Sequence, residues 1–218
     1  MRDKRFKGRK KPGRKRRPMP KKPLVLIVCE GKITEPCYFE DLRKKKRIVK
    51  ERIRVISSDK CKGNDPLSIV NCALEIKREM LKNEGLDYDK VWCVFDRDEH
   101  TTFQEAIIKA KAQNKREKNF NLAVSVPNFE LWYLLHFKYQ SAHIERGRVC
   151  SIISKEDILS GYTHGTKGVY DKIKHLQQDA IKRAEKLVKF HNNNQSPKFT
   201  NPFTTVHELV KFLENLTR

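Results

Sequence analysis

The sequence predicts an α/β fold: a parallel sheet flanked by helices, followed by a helical C-terminal portion. Three observations predict it. The run LVLIVC, residues 24–29, is apolar throughout and rich in β-branched side chains, as a strand buried on both faces must be. The run KVWCVF, residues 90–95, repeats that texture, and each run ends on an acid, Glu30 and Asp96. Around and between them, segments with helical apolar spacing alternate with strands at the separation of βαβ units.

Taken in order, Leu24 to Cys29 is the first strand, and Thr34 is the expected cap of a helix that starts near Glu35 and Pro36 and carries Tyr38, Phe39 and Leu42. Ile53, Val55 and Ile56 mark a second strand. Asn64-Asp65-Pro66 opens a helix whose apolar face includes Ile69, Val70, Ala73 and Leu74, with Gly85 as its stop. Lys90 to Phe95 is the third strand, running into Asp96-Arg97-Asp98. A helix from Thr101 to about Arg116 and a fourth strand, Leu122 to Val126, follow. Phe129 to Phe137 is a strongly apolar helix. Beyond residue 138 the strands are expected to stop. A loop-rich segment leads there to one helix of about 20 residues from Lys167, with Val169, Ile173, Leu176, Ala180, Ala184 and Leu187 inward, and a closing helix runs from Thr204 to Leu216.

The chain carries 48 Lys and Arg against 27 Asp and Glu, a formal charge of +21, which points to a polyanionic partner. No apolar stretch approaches membrane-spanning length, so nucleic acid is favoured over a membrane, and no signal peptide is visible. Residues 1–22 hold 13 Lys and Arg and one acid, with too few apolar side chains to bury a core; they read as a disordered basic tail, either solubilising or gripping phosphate. The remainder divides into an α/β core over residues 23–137 and a helical C-terminal portion over 138–218. Six cysteines without a CxxC pair argue against a zinc ribbon and for a reduced, cytoplasmic protein.

The acids carry the chemistry. If the chain stays extended past Asp96, the pleat puts Asp96 and Asp98 on one side, and adjacent strands about 4.8 Å apart allow Glu30 to converge with them. Three carboxylates crowded without a cation would repel and rise in pKa, whereas hard oxygen ligands at that density suit Mg²⁺ or Mn²⁺.

An apolar strand followed by Glu-Gly, then an apolar strand followed by Asp-x-Asp, resembles the TOPRIM domain of topoisomerases, primases and related nucleases, a Rossmann-like parallel sheet. More narrowly, IVCEGKITEPCYFEDL, VWCVFDRDEH, FELWYLLHF and NPFTTVHELV, in that order, resemble the RloB family over residues 24 to about 213. Those are TOPRIM-containing bacterial proteins often encoded beside an ATPase in restriction or phage-defence loci. The resemblance implies a divalent-metal-dependent nuclease of DNA or RNA in antiviral defence with an ATPase partner. Glu30, Asp96 and Asp98 would be its metal ligands and catalytic acids, with Glu130 of the FELW motif as a fourth catalytic acid. Lys32, Arg97, Lys167 and Lys172 are the candidate phosphate contacts. One position departs from the family pattern: Val126 stands where an Asn usually precedes the proline, with Asn128 two residues on.

Bland readings stand beside these. Glu30, Asp96 and Asp98 can be polar strand ends, Glu130 a first-turn acid that suits a helix dipole, and the lysines of the long helix a solvated face; Glu35 is either an acid supporting the site from behind or, the favoured reading, a first-turn dipole partner. Trp132 and Phe137 read as core. His136 is six residues past Glu130, on a different side of the helix, and reads as a buried, hydrogen-bonded histidine. The competing function is a non-catalytic nucleic-acid-binding or regulatory subunit of an ATPase complex; the chain has no GxxxxGK[ST] motif, so ATP dependence would come from a partner. A haloacid-dehalogenase phosphatase also opens on Asp-x-Asp, but on its first strand and with Thr or Val where His100 stands.

Overall fold

The computed structural model describes residues 23–97 and 101–216. The expected basic tail and Asp98 lie outside the described residues. Four parallel strands, β1 (Val25–Cys29), β2 (Ile53–Ile56), β3 (Lys90–Asp96) and β4 (Phe120–Val126), alternate with α1 (Thr34–Lys45), α2 (Pro66–Glu84) and α3 (Phe103–Glu117). The C-terminal portion adds α4 (Glu130–Phe137), α5 (Arg146–Ile153), α6 (Val169–Ile173), α7 (Gln177–Asn193), β5 (Phe203–Thr204) and α8 (Val206–Asn215). The sheet order is β2-β1-β3-β4-β5, with β5 antiparallel to β4. The expected α/β class, a Rossmann-like sheet flanked by helices, is the observed one.

The pleat explains the unbroken apolar runs. Val25, Ile27 and Cys29 point into one core layer, beside Trp92 and Val94, while Leu26 and Val28 point into the other, beside Val91, Cys93 and Phe95. All five β1 side chains are fully buried, so each must be apolar, contributing roughly 1.5–3 kcal/mol on burial. Helices α2 and α3 cover one face; α1, α4 and the C-terminal helices cover the other. Arg183 of α7 clamps the last layer by donating to the carbonyls of Leu135 and His136 at 2.8 and 2.7 Å, at the negative end of α4. Trp132 is buried, and His136 is 1% exposed with Nδ1 2.9 Å from the Trp132 carbonyl, in keeping with its expected structural role.

The Asp-Pro start and Gly stop of α2 are realised: Asp65 accepts from the amides of Leu67 and Ser68 at 3.1 and 3.3 Å, and Gly85 closes the helix at φ 64°. Four expectations are corrected. Thr34 is the first residue of α1 rather than its cap; Ile33 holds that position and makes no side-chain cap bond. Strands do not stop at 138, because Phe203–Thr204 pairs with β4. The long helix from Lys167 is broken by a 3₁₀ turn, Lys174–Leu176, so its apolar spacing spans two helices, α6 and α7, sharing one buried face. The cysteines are not all free: Cys61, in the loop before α2, and Cys72, on that helix, have Cα atoms 5.5 Å apart and form a disulfide. Their separation of 11 residues gives no local signal, since the loop must first fold back onto α2.

Candidate active site

Chain order runs outward in both directions from the boundary between β1 and β3, which makes the carboxyl ends of those two strands the switch point where open α/β sheets leave a crevice. Glu30 and Asp96 stand there. The Glu30 amide still donates to the Val94 carbonyl at 2.9 Å, continuing the ladder one residue beyond β1. Its carboxylate turns across to the neighbouring strand and accepts from the Asp96 amide, also at 2.9 Å. Asp96, at the tip of β3 opposite Ser125, is 7% exposed.

Two further acids close in from helices. Glu35 in the first turn of α1 is 4% exposed and accepts from the Gly31 amide at 3.1 Å. Glu130, the first residue of α4, is 1% exposed and accepts from the Tyr162 hydroxyl at 3.1 Å and from His164 Nδ1 at 2.6 Å. Burial pushes the Asp96 carboxyl well above its usual range, and the charges of Glu35, Glu30 and Glu130 add to the rise against the opposing guanidinium of Arg146. That guanidinium lies 3.3 Å from Asp96 Oδ2. Burial likewise raises Glu35 to about 7, with Glu130 adding and the backbone amides of Glu35 and Gly31 opposing. A basic chain has thus collected four carboxylates in one place.

The cationic candidates divide. Lys32 lines a cavity of about 380 Å³ together with Glu30, Ser58, Asn64 and His164. Lys167 and Lys172 are exposed, on the approach to α6 and on α6 itself. Arg97 is engaged in the fold: it donates to the Phe199 carbonyl at 2.8 Å, and its guanidinium lies 5.7 Å from the centre of the Phe103 ring. Asn128, beside the cis proline that follows Val126, is 1% exposed and packs near Cys150.

Sequence reasoning missed Arg146, Tyr162 and His164, all from the C-terminal portion, and favoured Glu35 as a dipole partner over an acid supporting the site. The YTHGTKG stretch lies in a turn with Gly165 and Gly168 at φ 83° and 71°, and no periodicity marks its contact with Glu130. Among the described residues no three His, Cys, Asp or Glu side chains are gathered as a ready-made ion cage. No described helix is long and apolar enough to cross a membrane.

Comparison with curated proteins gives no match, and comparison with solved structures gives none. The family model described as RloB-like protein matches residues 25–213, from the first residue of β1 into α8. With that match covering most of the chain, the protein belongs to the RloB-like family.

Proposed function

We propose that this protein is a TOPRIM-type nuclease that hydrolyses phosphodiesters of DNA or RNA with Mg²⁺ or Mn²⁺. The observation that carries the reading is the meeting of Glu30 and Asp96 at the switch point, with Glu35 and Glu130 buried beside them. Crowded carboxylates, among which Asp96 and Glu35 have a raised affinity for protons, are a costly arrangement that a divalent cation relieves. Magnesium is usually held by one or two protein carboxylates, with water and phosphate completing the shell, so Glu30 and Asp96 fit it without a closed protein cage, and Asp98 is the expected third ligand. When bound, the ion supplies charge to neutralise a developing phosphorane and to acidify water.

The chain's own residues then have distinct tasks. Glu30 and Asp96 fix the position of the reacting centre on rigid strand ends. Lys32, beside Glu30, meets the phosphate's negative charge. Buried Glu35 and Glu130 hold the adjoining backbone and loop in place through Gly31, Tyr162 and His164. The bacterial defence setting and an ATPase partner rest on family membership. A cytoplasmic location is proposed on the same ground.

Arg146 favours a second reading. Its guanidinium beside Asp96 meets that carboxylate's charge without any ion, as a non-catalytic nucleic-acid-binding or regulatory subunit would need. One experiment separates the two: incubation of the purified chain with labelled DNA and RNA, with and without Mn²⁺ and any ATPase encoded nearby. Glu30→Gln and Asp96→Asn, each close to isosteric, should lower cleavage by roughly 100- to 1,000-fold and weaken Mn²⁺ binding. Binding of nucleic acid with no metal-dependent cleavage under any of these conditions selects the second reading.

A further inference from the structure

We propose that His164 is the general base of the cleavage reaction and that Glu130 is its positioning residue, an inference that rests on the nuclease reading above. His164 is the only histidine described as lining the cavity that contains Glu30 and Lys32. Its ring is fixed from behind. Nδ1 lies 2.6 Å from Oε1 of Glu130, a carboxylate buried to 1% exposure and held in turn by the Tyr162 hydroxyl. With Nδ1–H donating to that oxygen, the neutral ring carries its lone pair on Nε2, at the opposite side of the imidazole. The side chain as a whole is 74% exposed, so the outward nitrogen has access to water and to a ligand in the cavity.

A surface tether does not need this construction. Burying a carboxylate is costly, and this one holds the Nδ1 of the ring as well as the Tyr162 hydroxyl, which fixes the ring's orientation in the way a base–orienter pair requires. The charged groups around the ring are Glu130 from α4, Glu35 from α1, and Glu30 and Lys32 from the turn between β1 and α1. Lys32 is the cation available to the phosphate. Ser58 and Asn64 also line the cavity, whose volume of about 380 Å³ suits a phosphodiester and its water.

In the proposed step a water in the cavity gives a proton to His164 Nε2 as its oxygen bonds to phosphorus. The ester P–O bond breaks, the leaving oxygen takes a proton from solvent, and His164 later releases its proton to solvent. Water is the only co-reactant, and no electrons are exchanged with another species.

The test uses the full chain and labelled single-stranded and duplex DNA and RNA. His164→Ala should lower kcat by roughly 100- to 10,000-fold with KM little changed, and added imidazole should restore part of the loss. His164→Gln keeps a donor for Glu130 without supplying a base, so it should be as slow as His164→Ala. Glu130→Gln should lower kcat more than it raises KM. Wild-type turnover in either His164 variant overturns the assignment, as does a loss that appears chiefly in KM and ignores imidazole. If Glu30→Gln is inert while His164→Ala cuts normally, only the role of His164 falls. If the wild-type chain cuts nothing, the nuclease reading falls and takes this assignment with it.

Discussion

The Glu35 carboxylate rests directly on the backbone of Gly31: Oε1 accepts from the Gly31 amide at 3.1 Å, and a Cβ placed on Gly31 would lie 1.8 Å from Oε2. The glycine after the β1 acid is therefore required by a close approach. Gly31→Ala should destabilise the protein by about 1–3 kcal/mol, the usual cost of overpacking. In a Glu35→Ala background the same change should be nearly neutral, because the clashing group is gone. Denaturant unfolding of the four proteins measures the coupling, and strictly additive effects would remove the contact from the explanation.

Glu35 also predicts a pH dependence. Its folded-state pKa is raised from 4.5 to about 7, so the folded chain holds this proton more tightly than the unfolded one. The associated stability is fully present below about pH 4.5 and is lost as pH rises through about 7, by roughly 3 kcal/mol. Asp96 is raised as well and acts in the same direction. Glu35→Gln should therefore gain on the wild type between about pH 5 and pH 8 in urea unfolding with EDTA present. Parallel stability curves for the two proteins would contradict this.

Removing residues 1–22, with their 13 Lys and Arg, should weaken nucleic-acid binding and flatten its salt dependence while leaving the melting temperature unchanged. Each lost phosphate contact reduces the log–log slope by about 0.9 on duplex DNA. An unaltered slope assigns the segment to solubility alone.

Alkylation under denaturing, non-reducing conditions should label Cys29, Cys37, Cys93 and Cys150, and reduction should expose Cys61 and Cys72. Cys61→Ser should cost about 2–4 kcal/mol in oxidised protein and nothing after reduction. Six reactive thiols without a reductant would mean that the bridge is absent.

Legibility in the sequence followed the range of the forces involved. The strands β1 and β3 were readable because both faces are buried, which leaves no polar position to obscure the run. α2 was readable because Asp65, Pro66 and Gly85 act within a few residues of themselves. Glu30 and Asp96 were readable because a strand end next to a parallel neighbour fixes where its side chain goes.

The α/β class, the order of the first four strands along the chain, and the acids at the ends of β1 and β3 were legible from local pattern alone. What surrounds those acids comes from packing between segments far apart in the chain. Glu130 meets Tyr162 and His164 across 32 and 34 residues, and Asp96 meets Arg146 across 50. Such contacts leave no periodic trace, because they depend on how the helices after β4 pack back onto the sheet. The break between α6 and α7 and the pairing of β5 with β4 were hidden for the same reason: apolar spacing records which side chains are buried, and packing decides where the backbone turns to bury them.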